Sequence, residues 1–214
     1  MAETLSLRAK IEQSPMGAYQ WMIVAMAAIM NLLDGFDVLA LAFTATAIRN
    51  EFGLTRIELG YLLSAGLFGM AAGSLFLAPL ADKIGRRPLL LMAVLLSTIG
   101  MLGSAFISQY QWLGFWRVIT GLGVGGILVG TNVITSEYSS RKWRSFAISV
   151  YAAGFGVGAV LGGMFAVMLQ GEYGWRSVFL AGAILTGLLL VVLFIWLPES
   201  IDFLTSKQPK NAEV

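Results

Sequence analysis

The chain has no cysteine and no histidine, and only 12% of its 214 residues are charged. Without cysteine there is no disulfide framework, no thiol chemistry and no cysteine-based metal site. Without histidine the usual switch of the physiological pH range is missing, so any proton-handling group must be a carboxylate, or a Lys or Tyr, in an unusual environment. The charged fraction is about half that of a soluble domain. What fills the space is apolar: 57% of residues are hydrophobic and the mean hydropathy is +0.79, the profile of a chain that crosses a membrane repeatedly. A net charge of +2 and a pI near 9.0 would suit nucleic acid. The basic residues, however, fall in short loops between apolar runs, where they read as orientation signals, and no nucleic-acid partner, metal or cofactor is expected.

Crossing about 30 Å of hydrocarbon takes roughly 20 apolar residues. Six runs qualify: Trp21 to Phe43, Leu59 to Ala81, Pro88 to Ile107, Leu113 to Thr135, Phe146 to Leu169 and Val178 to Leu197. The first is too long and too far from the N-terminus for a cleavable signal peptide. The expected fold is therefore an all-α integral membrane bundle of six helices over residues 21–197, with tails at 1–20 and 198–214. Arg8, Lys10, Lys83, Arg86, Arg87, Arg141, Lys142, Arg144, Lys207 and Lys210 fall on one side, against Arg49, Arg56 and Arg176 on the other. That asymmetry predicts an inner (plasma) membrane protein with both termini in the cytoplasm. All six tryptophans lie near span ends, where an apolar ring with a polar N–H belongs.

Two carboxylates break the first apolar run, in "NLLDGFDVLALAFTATAI". Asp37 should lie about 24 Å from the terminal side of span one, and Arg117 about 6 Å from the opposite end of span four, so their depths nearly coincide. Charges in mid-membrane are costly unless they meet a partner or water, which makes them functional candidates. Asp37 is predicted to pair with Arg117 when ionised. An arginine beside a carboxylate favours its charged form, and burial away from one favours its protonated form, so making and breaking the pair would load and release a proton. Asp34 and Asn31 precede Asp37 by one and two turns on nearly one face, a polar stripe expected to line an aqueous cavity. Two other readings stay open: a structural ion pair between spans one and four, or Arg117 clamping the carboxylate of an anionic substrate. An intramembrane aspartyl protease needs acids on two helices, whereas Asp34 and Asp37 share one, and no enzymatic activity is expected.

Span four continues "RVITGLGVGG" with Gly121, Gly123, Gly125 and Gly126, and span five reads "GFGVGAVLGG" with Gly154, Gly156, Gly158, Gly162 and Gly163. Taken alone these are small residues that let helices approach closely in lipid.

Together the motifs resemble the major facilitator superfamily. "APLADKIGRRP" resembles its loop between helices two and three, at Leu80, Asp82, Lys83, Gly85, Arg86 and Arg87, with Ala78 where the pattern has a glycine. "RVITGLGVGG" resembles the helix-four pattern, which implies a proton-coupling role for Arg117. The helix-five pattern of antiporters has a proline where Ala159 stands, which favours symport. "LPESIDFL" resembles the helix-six closing motif at Pro198, Glu199 and Ser200, and the Asp-Gly-x-Asp of span one resembles aromatic acid/proton symporters. The resemblance implies an N-terminal six-helix half with a 3+3 inverted repeat, carrying a small organic acid such as a hydroxybenzoate together with protons. It also implies a gating charge cluster of Asp82, Lys83, Arg86, Arg87, Glu137, Arg144 and Glu199 around Gly85. Family transporters have twelve spans. Six would be a truncated product or a half completed by a second copy or by a C-terminal half, and the alternative is a non-transporting assembly or regulatory subunit.

Overall fold

In the computed structural model, which describes residues 15–207, every apolar run forms a helix that begins in the residues before it. All but two of these helices extend past the far end of the run: the third stops at Ala105, short of Ile107, and the sixth at Trp196, short of Leu197. Helix α1 spans Ala18–Phe52, α2 Arg56–Ile84, α3 Arg86–Ala105, α4 Tyr110–Tyr138, α5 Arg144–Tyr173 and α6 Arg176–Trp196, and a short α7 covers Ile201–Lys207. The first six are long and apolar enough to cross a membrane; in hydrocarbon a helix is favoured because it bonds its own backbone. Arg8, Lys10 and Lys210, which contributed to the expected orientation, lie outside the described residues, as does the side chain of Lys207.

At 35 residues, α1 is about 52 Å long and projects beyond the hydrocarbon. It stops at Gly53, whose φ of 63° permits the left-handed turn that bonds its amide back to Arg49. Two residues on, Thr55 begins a capping box with Glu58 that starts α2.

The helices pair in a pattern with internal symmetry. Helix α1 packs on α5 as α4 packs on α2, α3 lies on α4 as α6 lies on α1, and α3 meets α6. Exchanging α1 with α4, α2 with α5 and α3 with α6 carries each pairing onto another, the signature of a 3+3 inverted repeat. Helices α1 and α4, each 61% buried over their most apolar stretch, form the centre, while α2 and α5, at 17% and 22%, are flanks with uncovered faces. Two apolar clusters fill the interior, one around Met30, Leu90, Ile134 and Leu193, the other around Phe36, Met101, Leu113 and Phe179. Asp34 and Asp37 fall at the seam between them.

The glycines on α4 and α5 mark the tightest crossings. A Cβ on Gly121 or Gly125 would strike the α2 carbonyls of Gly66 or Met70, and one on Gly158 would strike the Leu32 carbonyl of α1. Gly154 faces the Ala28 carbonyl and Gly123 that of Ala93 on α3; Gly126 meets the Leu77 side chain, Gly162 the Phe36 ring and Gly163 the Phe43 ring. Helix α1 contributes a matching glycine, Gly35, set against the backbone of Phe155 and Ala159.

Candidate functional site

Asp37 and Arg117 are 0% and 3% exposed and line the same cleft between α1, α2 and α4. The direct ion pair expected from their depths is not formed in this conformation. Arg117 Nη1 instead donates to the main-chain carbonyl of Asp37 at 3.0 Å, and Nη2 donates to Thr120 Oγ1 at 2.7 Å and lies 3.0 Å from Met101 Sδ. The guanidinium also stacks 5.1 Å from the centre of the Phe179 ring, a favourable placement for a cation. The Asp37 side chain leaves α1 towards α3 and α6, and Ser97 Oγ donates to its Oδ2 at 2.7 Å. The ion pair is absent because α3 supplies a donor where the carboxylate points, while Arg117 reaches the opposite end of the same residue. Asp37 Oδ1 and Arg117 Nε are buried without a hydrogen-bond partner.

Asn31 and Asp34 do not face an open cavity as expected. They are 3% and 2% exposed, turned into the packing of α1 on α4 and α5. Asn31 Nδ2 donates to the Tyr151 carbonyl of α5 at 2.8 Å. The Tyr151 hydroxyl lies 3.1 Å from Thr131 Oγ1 and donates to the Leu128 carbonyl. Asn31 Oδ1 and Asp34 Oδ2 are buried acceptors without a partner. The two acids, one turn apart in sequence, therefore serve different neighbourhoods: Asp37 meets α3, α4 and α6, and Asp34 lies near Tyr151 of α5.

The cleft shared by Asp37 and Arg117 has Thr120 and Gly121 at its base and Leu41, Leu62 and Leu67 among its walls. Its volume is about 30 Å³, room for a water molecule or two but not for an aromatic ring.

At the end of the bundle nearest the chain termini, the charged residues are held mostly by helix starts. Glu199 Oε1 accepts the amides of Arg86 and Arg87 at 2.7 and 3.0 Å, so a carboxylate on the α6–α7 connection caps α3, where the helix dipole favours negative charge. Gly85, with φ 102°, leaves the space that this carboxylate fills. Glu137 of α4 accepts the Ser200 hydroxyl and the Ile201 amide at 2.8 Å each. Arg86 pairs with Asp82 at 2.8 Å, Arg87 Nη2 donates to the Phe194 carbonyl, Arg144 Nε donates to the Ser136 carbonyl, and Lys83 is exposed.

Sequence reasoning did not single out Ser97, Thr120, Met101 or Phe179, because hydroxyl, thioether and aromatic side chains inside a span look like ordinary packing. It also did not find the cluster at the opposite end, where Glu51 accepts from Trp175 Nε1 at 2.6 Å and pairs with Arg176 at 2.7 Å.

The chain is similar in sequence to several bacterial transporters. It is 36% identical over 204 residues to the 4-hydroxybenzoate transporter PcaK of Pseudomonas putida, covering 95% of this chain and 46% of that protein. It is equally similar to a gallate transporter of Pseudomonas putida, covering 95% and 45%, and 37% identical over 212 residues to PcaK of Pseudomonas aeruginosa, covering 99% and 47%. The chain thus spans about half the length of the curated relatives it matches. Among solved structures it superposes on the proton:xylose symporter XylE with a TM-score of 0.84 at 22% identity, over 92% of this chain and 49% of that one. A bacterial homologue of the human lysosomal transporter Spinster gives 0.76 at 22% identity, over 86% and 44%. These likenesses show the fold, and residues 27–212 match the Major Facilitator Superfamily. The six-helix membrane bundle with its inverted repeat accordingly belongs to that superfamily, whose members are transporters and not enzymes.

Proposed function

We propose that the chain is the N-terminal six-helix half of a proton-coupled symporter for small organic anions, aromatic acids such as hydroxybenzoates among them. It sits in the plasma membrane with both ends in the cytoplasm. The observation that carries the reading is the buried acid and arginine on the symmetry-related helices α1 and α4, adjacent but not bonded through their charged ends. A carboxylate so placed can take or give a proton without Arg117 having to change its own charge state, which arginine does not do in proteins. The names of the relatives support the substrate class. Ala159, in place of the antiporter proline, supports symport.

A cleft too small for a ring implies that substrate binds between this half and a second one. The uncovered faces of α2 and α5 are where such a half packs. Asp37 loads a proton while the cavity opens outward, substrate follows, and the halves rock to release both inside. Glu199, Glu137 and the Asp82–Arg86 pair hold the cytoplasmic helix ends together during the outward-facing phase. An exposed pair is worth only about 0–1 kcal/mol, so the buried carboxylate contacts carry most of that gate.

The test is uptake of labelled 4-hydroxybenzoate into proteoliposomes under an inward proton gradient, with the chain supplied alone or together with a C-terminal half. Gradient-driven uptake that drops to background in Asp37→Asn, with substrate exchange retained, is the expected result. Asp37→Asn accumulating substrate at the unmodified rate would remove the coupling role.

A further inference from the structure

A Ser or Thr within a helix can hand its hydrogen to the carbonyl four residues back. Two of the three hydroxyl residues on α3 do so: Thr98 bonds the Val94 carbonyl at 2.8 Å and Ser104 that of Gly100 at 2.7 Å. Ser97 does not. Its hydroxyl leaves the helix and donates to Asp37 Oδ2, with both residues fully buried.

Two close approaches make that reach possible. Gly123 of α4 lets α3 come so near that a Cβ there would lie 2.7 Å from the Ser97 amide nitrogen. On the far side, a Cβ on Gly182 of α6 would run into the Met101 methyl and come within 3.3 Å of Asp37 Oδ1. The carboxylate therefore occupies a slot between α3 and α6 that exists only because two helices lack side chains there. Among the described residues, Ser97 is its one hydrogen-bond donor.

We infer that Ser97 is a positioning residue for proton transfer at Asp37; the inference rests on the proposed reading of Asp37 as the proton-carrying acid. With Asp37 ionised, the Ser97 O–H donates to Oδ2. When Asp37 takes a proton on Oδ2, the new carboxyl O–H donates to Ser97 Oγ, and the serine hydrogen turns to the Ala93 carbonyl four residues back, the position Thr98 and Ser104 use on the same helix. The bond reverses direction without breaking, so the acid keeps its place in either state. Among the described residues, the charged groups acting on Asp37 are Arg117 from α4 and Asp34 from α1, with Tyr151 of α5 next to Asp34. Helices α3 and α6 present it with Ser97 and Gly182.

Infrared difference spectra of the purified full chain between acid and alkaline buffer test this without requiring transport. A carboxyl C=O band that disappears in Asp37→Asn identifies the acid. In Ser97→Ala that band shifts to higher frequency because its hydrogen bond is gone; Ser97→Thr restores it, and the neighbouring Thr98→Ala leaves it in place. If the Asp37 band is the same in Ser97→Ala as in the unmodified chain, the inference is overturned and the proton-site reading stands. If no band depends on Asp37, both are overturned.

Discussion

Arg117 engages both terminal nitrogens inside the half, on the Asp37 carbonyl, Thr120 and Met101, and only Nε is left without a bond. A two-pronged clamp on a substrate carboxylate needs two free, parallel N–H groups, and in this conformation both terminal nitrogens already bond to groups within the bundle. Lysine has a point charge on a flexible stem and cannot repeat that planar fan. Arg117→Lys is therefore expected to lower stability by about 2 kcal/mol, the scale of losing a hydrogen bond to a charged group. The thermal midpoint in detergent should fall accordingly. An unchanged midpoint would mean that the guanidinium contacts contribute nothing to the packing.

At the scale of elements, backbone contact between helices does work that side chains do in a soluble core. Gly158 lies where a methyl group would strike the Leu32 carbonyl, whereas Gly156, two residues away, has open space. Overpacking costs about 1–3 kcal/mol, and alanine gains about 1 kcal/mol of helix propensity over glycine. Gly158→Ala should therefore destabilise the α1–α5 pair, while Gly156→Ala should be neutral or slightly stabilising, as read by thermal unfolding in micelles. Equal effects would show that the crossing is looser than the geometry requires. Helix α3 offers a second case, since its start is capped from another part of the chain by Glu199. Losing such a cap costs about 1–2 kcal/mol. Glu199→Ala should raise amide exchange in the first turn of α3 about tenfold, while Asp82→Ala, which breaks an exposed pair, should barely change it.

For the whole molecule, the distribution of Lys and Arg predicts which end faces the cytoplasm, and the absence of cysteine makes the prediction simple to check. Arg141, in the turn before α5, and Glu172, in its last turn, are both exposed and flank the span at opposite ends. In right-side-out vesicles, a membrane-impermeant maleimide should label Glu172→Cys at once and Arg141→Cys only after permeabilisation. The reverse pattern would invert the orientation and, with it, the direction of the proposed proton entry. The lightly buried flanks α2 and α5 also bear on the whole assembly, since a half with two uncovered helices leaves a large apolar surface for a second half to cover.

The six spans were readable from the amino acids alone, because a helix in hydrocarbon satisfies its own backbone and needs only a sufficient apolar length. The common depth of Asp37 and Arg117 was readable for the same reason: the rise per residue is constant, so position along a span converts to height. Which partner each charge meets could not be read in that way. The rotation of α1 about its axis turns Asp34 towards α5 and Asp37 towards α3. The partner of Asp37 is a serine 60 residues away, brought within reach by glycines on other helices. Height in the membrane is a property of one helix, but the direction in which a side chain points into the bundle is decided by the helices packed around it.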